Sequence, residues 1–319
     1  MDFDKLSKKE RYDALTEMAD MYYNQGKTQV EIADYFETTR FKIAKLLQDA
    51  RSEQIVEIKI NFSTERNKSM EQELLEQFPL QKAIVVNTQY TPYIDSLKQV
   101  GQVGANYLAR LLTSDSVLGI AWGKTIHTVI SQLPQIAHNP VSAVQLAGYM
   151  SLSNPASESR ELVRSVASQY FGETYYLNTP LYIKNLALKE QLMLEPDISR
   201  TLQKAKTLTA VITGLGGKSS LPLVNPAFRS YLTEHDRKAA DDCIGSIYGY
   251  VLNQQGMIAD IDLNRKLSAV PLDDILRTPH RIAVVYGRHK ANITAKAIQN
   301  HYINEVITDT KTALTLLEH

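Results

Sequence analysis

A lysine and a threonine follow an apolar run in a pattern that could hold an anion. The run occupies residues 117–122, and Gly123, Lys124 and Thr125 come directly after it. Apolar residues continue at helical spacing from Ile126, which predicts a strand, a glycine turn and the beginning of a helix. The first N–H groups of a helix and its dipole favour a negative charge. Lys124 would add a positive charge and Thr125 a hydroxyl group.

Two further glycine loops follow apolar runs later in the chain. One contains Gly214, Leu215, Gly216 and Gly217, and the other runs from Gly287 through Arg288 and His289 to Lys290. Glycine ends many strands simply to turn, so each loop alone is also compatible with a plain turn. Three such loops in one α/β region predict a binding site for an anion or a polyol.

A different chemistry is indicated by residues 28–51. Apolar residues at spacings of three and four predict two short helices joined by a tight turn. The outward face of the second helix carries Arg40, Lys42 and Lys45, without an acid before Asp49. A helix with one apolar face packed on the protein and a basic face exposed to solvent fits the major groove of DNA. The simpler alternative is a basic face that is only solvated.

The two threonines of this stretch have the position of helix caps. Thr28 and Thr39 each precede a predicted helix, where a hydroxyl accepts a hydrogen bond from an otherwise free N–H group. The residues expected to contact DNA, from these two helix starts and the basic face, are Thr28, Gln29, Thr39, Arg40, Phe41, Lys42 and Lys45.

Composition limits the other possibilities. The net charge of zero and the pI near 7.1 exclude a strongly basic protein, so any DNA affinity must come from a local patch such as residues 40–47. The single cysteine, Cys243, rules out an internal disulfide and fits a reducing compartment. The polar N-terminus and the lack of any run of about 18 apolar residues predict a cytoplasmic protein without a membrane span. The seven histidines have no metal-ligand spacing, so neither a metal nor a cofactor is expected.

The elements that must position these residues follow from hydrophobic periodicity. Residues 10–25 predict a first helix that completes a three-helix core, and residues 55–60 predict a short wing strand. From residue 80 onwards strands alternate with helices, and several strands are apolar throughout, which predicts a doubly wound α/β sheet covered on both faces. The predicted strands are residues 83–86, 117–122, 141–148, 174–177, 208–214, 247–252, 282–286 and 306–308.

A charged helical segment separates the two regions. Residues 64–79 carry an apolar stripe of Met70, Leu74, Leu75 and Phe78, which serves either self-association or core packing. The predicted organisation is therefore a helix-turn-helix domain at 1–62, a linker helix at 63–79 and a ligand-binding domain at 80–319.

The N-terminal pattern resembles that of the SorC (DeoR-like) family of sugar-responsive bacterial transcription regulators. The matching residues are Tyr22-Tyr23, Gly26, Thr28-Gln29, Glu31-Ile32-Ala33, Thr39-Arg40, Leu46-Leu47, Ala50-Arg51 and Ile55-Val56-Glu57-Ile58. Glu37 stands where the family usually has the glycine of the inter-helix turn, and Gln54 replaces a glycine before the wing strand. A non-glycine residue with positive φ would cost roughly 1 kcal/mol.

Residues 80–319 resemble the effector-binding domain of the same family, which is related in fold to sugar-phosphate isomerases. The resemblance implies that the loop of Gly123, Lys124 and Thr125 holds a phosphate or hydroxyl group, and that Lys290 matches the lysine of a Gly-Gly-x-x-Lys loop. Ser246 replaces an acid that would bind sugar hydroxyls. The residues expected to bind the effector are Gly123, Lys124, Thr125, Gly148, Gly214, Gly216, Ser246 and Lys290.

One residue of that pattern is missing. The arginine that some members use for phosphate, near Gly148, corresponds to Ala147, and Arg160 or Arg164 on the following helix could replace it. Trp122 is interpreted as a packing residue that borders the first loop.

The resemblance implies a transcription regulator whose affinity for double-stranded operator DNA is set by a sugar or sugar phosphate. Palindromic operators need at least a dimer, and the family implies a homotetramer. The alternative is a sugar-phosphate isomerase or deaminase with an accessory DNA-binding domain. That chemistry needs a general base, and Ser246 at the acid position is a poor one. A scaffold with neither activity is the third possibility.

Overall fold

The chain divides into two compact units, Met1–Asn61 and Phe62–His319. The computed structural model describes residues 6–56, 65–89, 91–134, 140–149 and 155–319. The predicted wing strand begins at the last residues of the first described range, and its continuation from residue 57 lies outside the described residues. No helix in the described ranges is both long enough and apolar enough to cross a lipid bilayer.

Three helices form the first unit. They are α1 (Lys8–Tyr23), α2 (Gln29–Tyr35) and α3 (Arg40–Ser52). Each contributes apolar residues spaced by three or four to one buried core, which includes Leu15, Met18, Ile32, Ile43 and Leu46. The three-helix core is confirmed, with the first helix beginning and ending two residues before its predicted limits.

Both predicted threonine caps are confirmed. The Thr28 hydroxyl accepts a hydrogen bond from the N–H of Glu31, whose carboxylate in turn accepts from the Thr28 N–H at 2.8 Å. The Thr39 hydroxyl accepts from the N–H of Lys42 at 3.3 Å. Glu37 and Gln54 have φ of 50° and 59°, so both non-glycine residues occupy the left-handed conformation for which the family pattern has glycine.

The second unit alternates strands and helices. Its strands are β1 (Lys82–Val86), β2 (Val117–Ile120), β3 (Ser142–Gln145), β4 (Thr174–Tyr175), β5 (Ala210–Thr213), β6 (Gly216–Gly217), β7 (Cys243–Ile247), β8 (Tyr250–Asn253), β9 (His280–Val284) and β10 (Glu305–Asp309). Its helices are α4 (Lys68–Gln77), α5 (Tyr93–Leu111), α6 (Lys124–Ile130), α7 (Ser159–Gln169), α8 (Leu186–Leu194), α9 (Pro196–Ala205), α10 (Glu234–Lys238), α11 (Asp262–Lys266), α12 (Leu272–Leu276), α13 (Ala291–Gln299) and α14 (Thr310–Leu317).

A seven-stranded parallel sheet organises this unit, in the order β1-β10-β9-β5-β2-β3-β4. Neighbouring strand residues point to opposite faces: Val85 packs in one core cluster with α4, α13 and α14, and Ile84 packs in the other with α5, α6 and α7. Because both faces are covered by helices, most residues of the central strands are buried and apolar. The predicted doubly wound α/β fold is confirmed.

The apolar stripe predicted for the linker helix lies in the core of the second unit. Leu74 and Phe78 on and after α4 are 0% and 5% exposed, and Met70 and Leu75 pack against the same cluster. Of the two interpretations of this stripe, core packing is the observed one, and the buried Leu74 and Phe78 are not available for contact with another subunit.

The predicted strand at residues 247–252 is wrong. This apolar run contains the turn of an antiparallel hairpin, in which Ile247 at the end of β7 pairs with Tyr250 at the beginning of β8. Tyr248 and Gly249 form the turn with φ of 54° and 95°, as expected for a two-residue hairpin loop. Together with β6 the hairpin forms a second, three-stranded sheet.

Helix α8 has apolar residues at both ends, with Lys189, Glu190 and Gln191 between them, and contains no buried residue. Leu186, Leu188 and Leu194 are 43%, 46% and 79% exposed. Apolar side chains that remain exposed together on one element are candidates for contact with another protein. The surface of α8 is therefore an exposed apolar patch on the second unit.

Candidate ligand pocket and nucleic-acid interface

The three glycine loops predicted from the sequence come together in the structure. They follow β2, β5 and β9, which are neighbours in the sheet, so their carboxyl ends meet at one edge. The strand order reverses at β2 and β5, and ligands bind at such a switch point in open α/β sheets. A cavity of about 380 Å³ lies there. The predicted residues that line it are Gly123, Lys124, Thr125, Gly214, Gly216, Ser246 and Lys290.

The first loop leads from β2 into α6. Gly123 has φ of 122°, which an L-amino acid rarely adopts, and its N–H donates to the Ser157 carbonyl at 3.0 Å. No side chain caps α6. Lys124 is exposed and Thr125 is 8% exposed at the pocket wall. The first turn therefore presents backbone donors, a cation and a hydroxyl to the cavity.

The second loop approaches the hairpin closely. Gly216 in β6 pairs with Ser246 in β7, and a Cβ atom at Gly216 would lie 2.7 Å from the Ser246 hydroxyl oxygen. A larger residue at Gly216 would require the Ser246 side chain to move. The half-buried Ser246 hydroxyl forms no hydrogen bond with the described residues and faces the cavity as a donor and an acceptor.

Lys290 is the half-buried cation of this pocket. Burial lowers the pKa of its amine from 10.5, and no opposing charge acts on it. Its amine forms no ion pair or hydrogen bond with the described residues. An amine that has lost water without gaining a partner is poised to bind an anion. The glycine turn at Gly287, with φ of 110°, carries the chain from β9 to this position.

An aromatic wall completes the pocket, and the sequence did not reveal it. Trp122, Tyr182, Phe228 and Tyr248 line the cavity, with the Tyr182 and Phe228 rings 5.5 Å apart. Trp122, interpreted as packing, is half-buried and contributes to the pocket as well as to the core. These rings come from distant segments, and of them only Trp122, directly before the first glycine loop, was placed near the site from the sequence.

Two polar residues of the segment after β6 also reach the pocket. Ser220 donates to the Gly217 carbonyl at 2.9 Å, and the Asn225 carbonyl accepts from the Ala227 N–H at 3.0 Å. The side-chain nitrogen Nδ2 of Asn225 has no partner among the described residues. This segment consists of short 3₁₀ turns, which have no periodicity that a sequence pattern can show.

Three residues proposed near this site lie elsewhere. Gly148 does not line the cavity, because it packs against the Thr179 and Pro180 carbonyl oxygens, which a Cβ atom would approach to 2.6 and 2.5 Å. Arg164 is paired with Glu161 at 2.6 Å on the surface of α7. Arg160 lies over the Tyr176 ring, with its guanidinium carbon 5.2 Å from the centroid. Neither arginine lines the pocket, so neither replaces the missing arginine there.

The pocket offers few side chains that could act as an acid or a base. Among the described residues that line it, none is an aspartate, a glutamate or a histidine. The described residues also contain no cluster of three or more histidine, cysteine, aspartate or glutamate side chains that could hold a metal ion. The chemistry offered by the pocket is hydrogen bonding, stacking and one desolvated positive charge.

The predicted nucleic-acid surface is centred on α3. Arg40 and Lys45 are exposed and form no ion pair with the described residues, whereas Lys42 is half-buried. Arg11 on α1 binds Asp49 at 2.8 Å and Glu53 at 3.0 Å. The acids at the end of α3 are thereby neutralised, so the outward face of the helix is more positive than the composition of residues 1–63 suggests.

The remaining predicted contacts have definite positions. Thr28 and Thr39 use their hydroxyls as caps, and Gln29 is half-buried beside an open hollow. Phe41 is 74% exposed, and the Arg40 guanidinium carbon lies 4.9 Å from the centroid of its ring. The hollow is also lined by Ala44 and Gln48, neither of which was predicted to contact DNA.

Comparisons with known proteins identify the family of this chain. The family model described as "Putative sugar-binding domain" matches residues 63–318. The sorbitol operon regulator of Klebsiella pneumoniae is 25% identical over 311 residues, with 95% of this chain and 97% of that protein covered. Transcriptional regulator LsrR of Escherichia coli is 26% identical over 306 residues, with 93% and 92% covered.

The fold comparison extends over both units. The crystal structure of the full-length sorbitol operon regulator SorC from Klebsiella pneumoniae superimposes with a TM-score of 0.72 at 24% identity, covering 95% of this chain and 97% of that one. The family model covers most of the sequence, and the fold agrees along nearly its whole length. The chain therefore belongs to the SorC family of sugar-binding transcription regulators.

Proposed function

We infer that this protein regulates transcription of a carbohydrate operon by binding operator DNA through α3, and that a sugar or sugar phosphate in the α/β pocket controls this binding. The observation that carries the inference is the combination of the unpartnered Lys290 amine with convergent glycine loops in one pocket. The exposed, unpaired cations Arg40 and Lys45 on a separate helical unit supply the second surface.

The pocket fits a polyol that carries a phosphate group. A phosphate above Gly123 would meet backbone donors and Lys124, with Lys290 as the desolvated cation. Sugar hydroxyls would meet Ser246 and Asn225. The aromatic wall would cover the apolar face of the sugar ring. Relatives are named for sorbitol and deoxyribonucleosides, which are compounds of this hydroxyl-rich class.

The mechanism is thermodynamic linkage. A ligand that prefers the arrangement of the protein with low DNA affinity shifts the population towards that arrangement. Bound DNA in turn lowers the affinity of the protein for the ligand by the same factor. Regulation of this kind requires access to chromosomal DNA, so we place the protein in the cytoplasm. The reduced, buried Cys243 is compatible with that compartment.

The protein acts as a homo-oligomer, with a tetramer as the form that the family resemblance implies. Since the stripe on α4 is buried within the chain, we assign the subunit contact to the exposed apolar surface of α8. Both charge signs surround that surface, for example Lys184 and Glu190, which favours a second copy over a strongly charged partner.

The subunit assignment is tested by light scattering. Leu194→Glu should dissociate the oligomer, because Leu194 is 79% exposed in the single chain and would become buried in the contact. Leu314→Glu is the matched control, as Leu314 is 52% exposed on α14. A monomeric wild-type protein, or equal behaviour of both variants, would contradict the assignment.

The alternative of an isomerase or deaminase is disfavoured by the pocket. Proton transfer on a sugar phosphate requires a positioned base, and the described pocket residues offer Ser246 where an acid would stand. An assay for interconversion of pentose and hexose phosphates distinguishes the two functions. Turnover that depends on Ser246 would support the enzyme.

The DNA-binding function is tested with the upstream region of the gene. Arg40→Ala and Lys45→Ala should weaken DNA binding. The loss of a base contact should cost about 1–3 kcal/mol of binding free energy. The loss of a phosphate contact should reduce the slope of the logarithm of the binding constant against the logarithm of the salt concentration by roughly one. Lys311→Ala, an exposed lysine of the second unit, is the control. Unchanged affinity and salt slope in both α3 variants would contradict the proposal that this helix lies in the major groove.

A further inference from the structure

The outward face of α3 has a chemical composition that specifies which DNA bases it can read. Phe41, Ala44, Lys45 and Gln48 are all exposed, at the spacing of one helical stripe. The opposite stripe, which includes Ile43 and Leu47, is buried against α1 and α2. A helix that enters the major groove with its apolar stripe behind it therefore presents two apolar groups, one amine and one amide to the base edges.

Phe41 is the most unusual member of this stripe. Its ring is 74% exposed at the first turn of α3, beside the guanidinium group of Arg40. The Arg40 guanidinium carbon is 4.9 Å from the ring centroid, so the ring and the cation support each other on the surface. A large apolar ring held beside a cation needs a partner that is both apolar and next to a hydrogen-bond acceptor.

The major groove supplies such a partner at thymine. Its 5-methyl group is the apolar feature of the groove, and aromatic or methyl side chains contact it. Guanine offers two acceptors that bind arginine or lysine, and adenine offers the donor and acceptor that bind glutamine. In this stripe, Phe41 and Ala44 are suited to thymine and Gln48 to adenine. Guanine is suited to Lys45 of the stripe or to the neighbouring Arg40.

Resting on the proposed DNA-binding function, we propose that Phe41 reads the 5-methyl group of a thymine in each operator half-site, next to a guanine read by Arg40. Ala44 reads a second thymine methyl one helical turn further along. The open hollow beside Ala44 and Gln48 leaves this side of α3 accessible, with Gln29 of α2 on the same wall.

The experiment separates the methyl group from every other feature of the base. High-affinity duplexes are enriched from a random library with the full-length protein, and each thymine is then replaced singly by deoxyuridine, which removes only the methyl group. Wild-type protein should lose affinity about fourfold at the Phe41 contact, as expected for one buried carbon group. Phe41→Ala should bind the thymine and deoxyuridine duplexes equally at that position, as a double-mutant cycle requires.

A control variant tests whether the methyl effect depends on Phe41 itself. Tyr12→Ala removes a comparably exposed ring, 55% exposed on α1, and should preserve the ratio of thymine to deoxyuridine affinity. Phe41→Leu should retain part of the preference for thymine over deoxyuridine. The inference is overturned if no thymine shows a methyl effect, or if every methyl effect seen with the wild type persists in Phe41→Ala. Absence of any salt-dependent duplex binding would instead overturn the DNA-binding function, and this inference with it.

Discussion

Replacement of Lys290 by methionine tests the ligand site most directly. Methionine keeps the apolar stem of the side chain and removes the charge. In the unliganded protein the Lys290 amine is desolvated and has no partner, so the loss of its charge should leave the free energy of unfolding unchanged or slightly higher. Most substitutions of partly buried residues have the opposite effect.

The effect on ligand affinity follows from the bond that is removed. A charge-assisted hydrogen bond contributes about 1.5–3 kcal/mol, so a phosphate ester should bind Lys290→Met about 10- to 150-fold more weakly. The affinity for the corresponding unphosphorylated sugar should change little. Operator affinity without ligand should be that of the wild type, since Lys290 belongs to the second unit and α3 to the first.

The assay is calorimetry with a panel of pentose and hexose phosphates, the free sugars and inorganic phosphate. Lys311→Met is the matched control, because Lys311 is exposed on α14 and does not line the pocket. Equal binding of an ester to wild type and Lys290→Met would refute the phosphate assignment. Equally tight binding of a sugar and its ester to the wild type would identify a neutral polyol as the ligand.

Three further predictions concern pH and backbone conformation. Ester affinity should fall with rising pH before an ordinary lysine titrates, because burial lowers the pKa of Lys290 and only its protonated form binds the anion. Calorimetry from pH 7 to 10 would contradict this if the affinity stayed constant. Gln54→Gly should raise the free energy of unfolding by about 1 kcal/mol, since φ at this position is 59°; denaturant titration showing a loss would refute the strain argument. Gly148→Ala should lower it by about 1–3 kcal/mol, because the new Cβ atom would lie 2.5 Å from the Pro180 carbonyl oxygen. Gly214→Ala is its control, with no atom closer than 3.9 Å, and equal losses in both would count against the packing argument.

The sequence was most informative where one local pattern determines the structure. An apolar run followed by glycine predicted the loops of Gly123, Gly214 and Gly287, because strands buried on both faces have few alternatives. The caps at Thr28 and Thr39 were predictable for the same reason, as a hydroxyl before an apolar period has one common use.

Other features depend on contacts between distant segments. The run at 247–252 looked like a strand because its apolar residues hide the turn at Tyr248 and Gly249. Periodicity cannot distinguish a core stripe from an interface stripe, so the burial of Leu74 had to be observed. Phe228 reaches the pocket from a 3₁₀ segment without any pattern, and Gly148 looks the same in sequence whether a ligand or a carbonyl lies beside it.

The position of β1 in the sheet has a consequence for synthesis of the chain. This strand, at the beginning of the α/β unit, has β10 near the C-terminus as its neighbour in the seven-stranded sheet. The three helices of the first unit contact one another within a short stretch and can fold as soon as they emerge from the ribosome. The sheet cannot close until β10 has been synthesised, so the edges of β1 and β9 that pair with β10 stay unpaired during that interval. Premature termination before β10 should therefore release a chain with an intact DNA-binding fold and an aggregation-prone remainder.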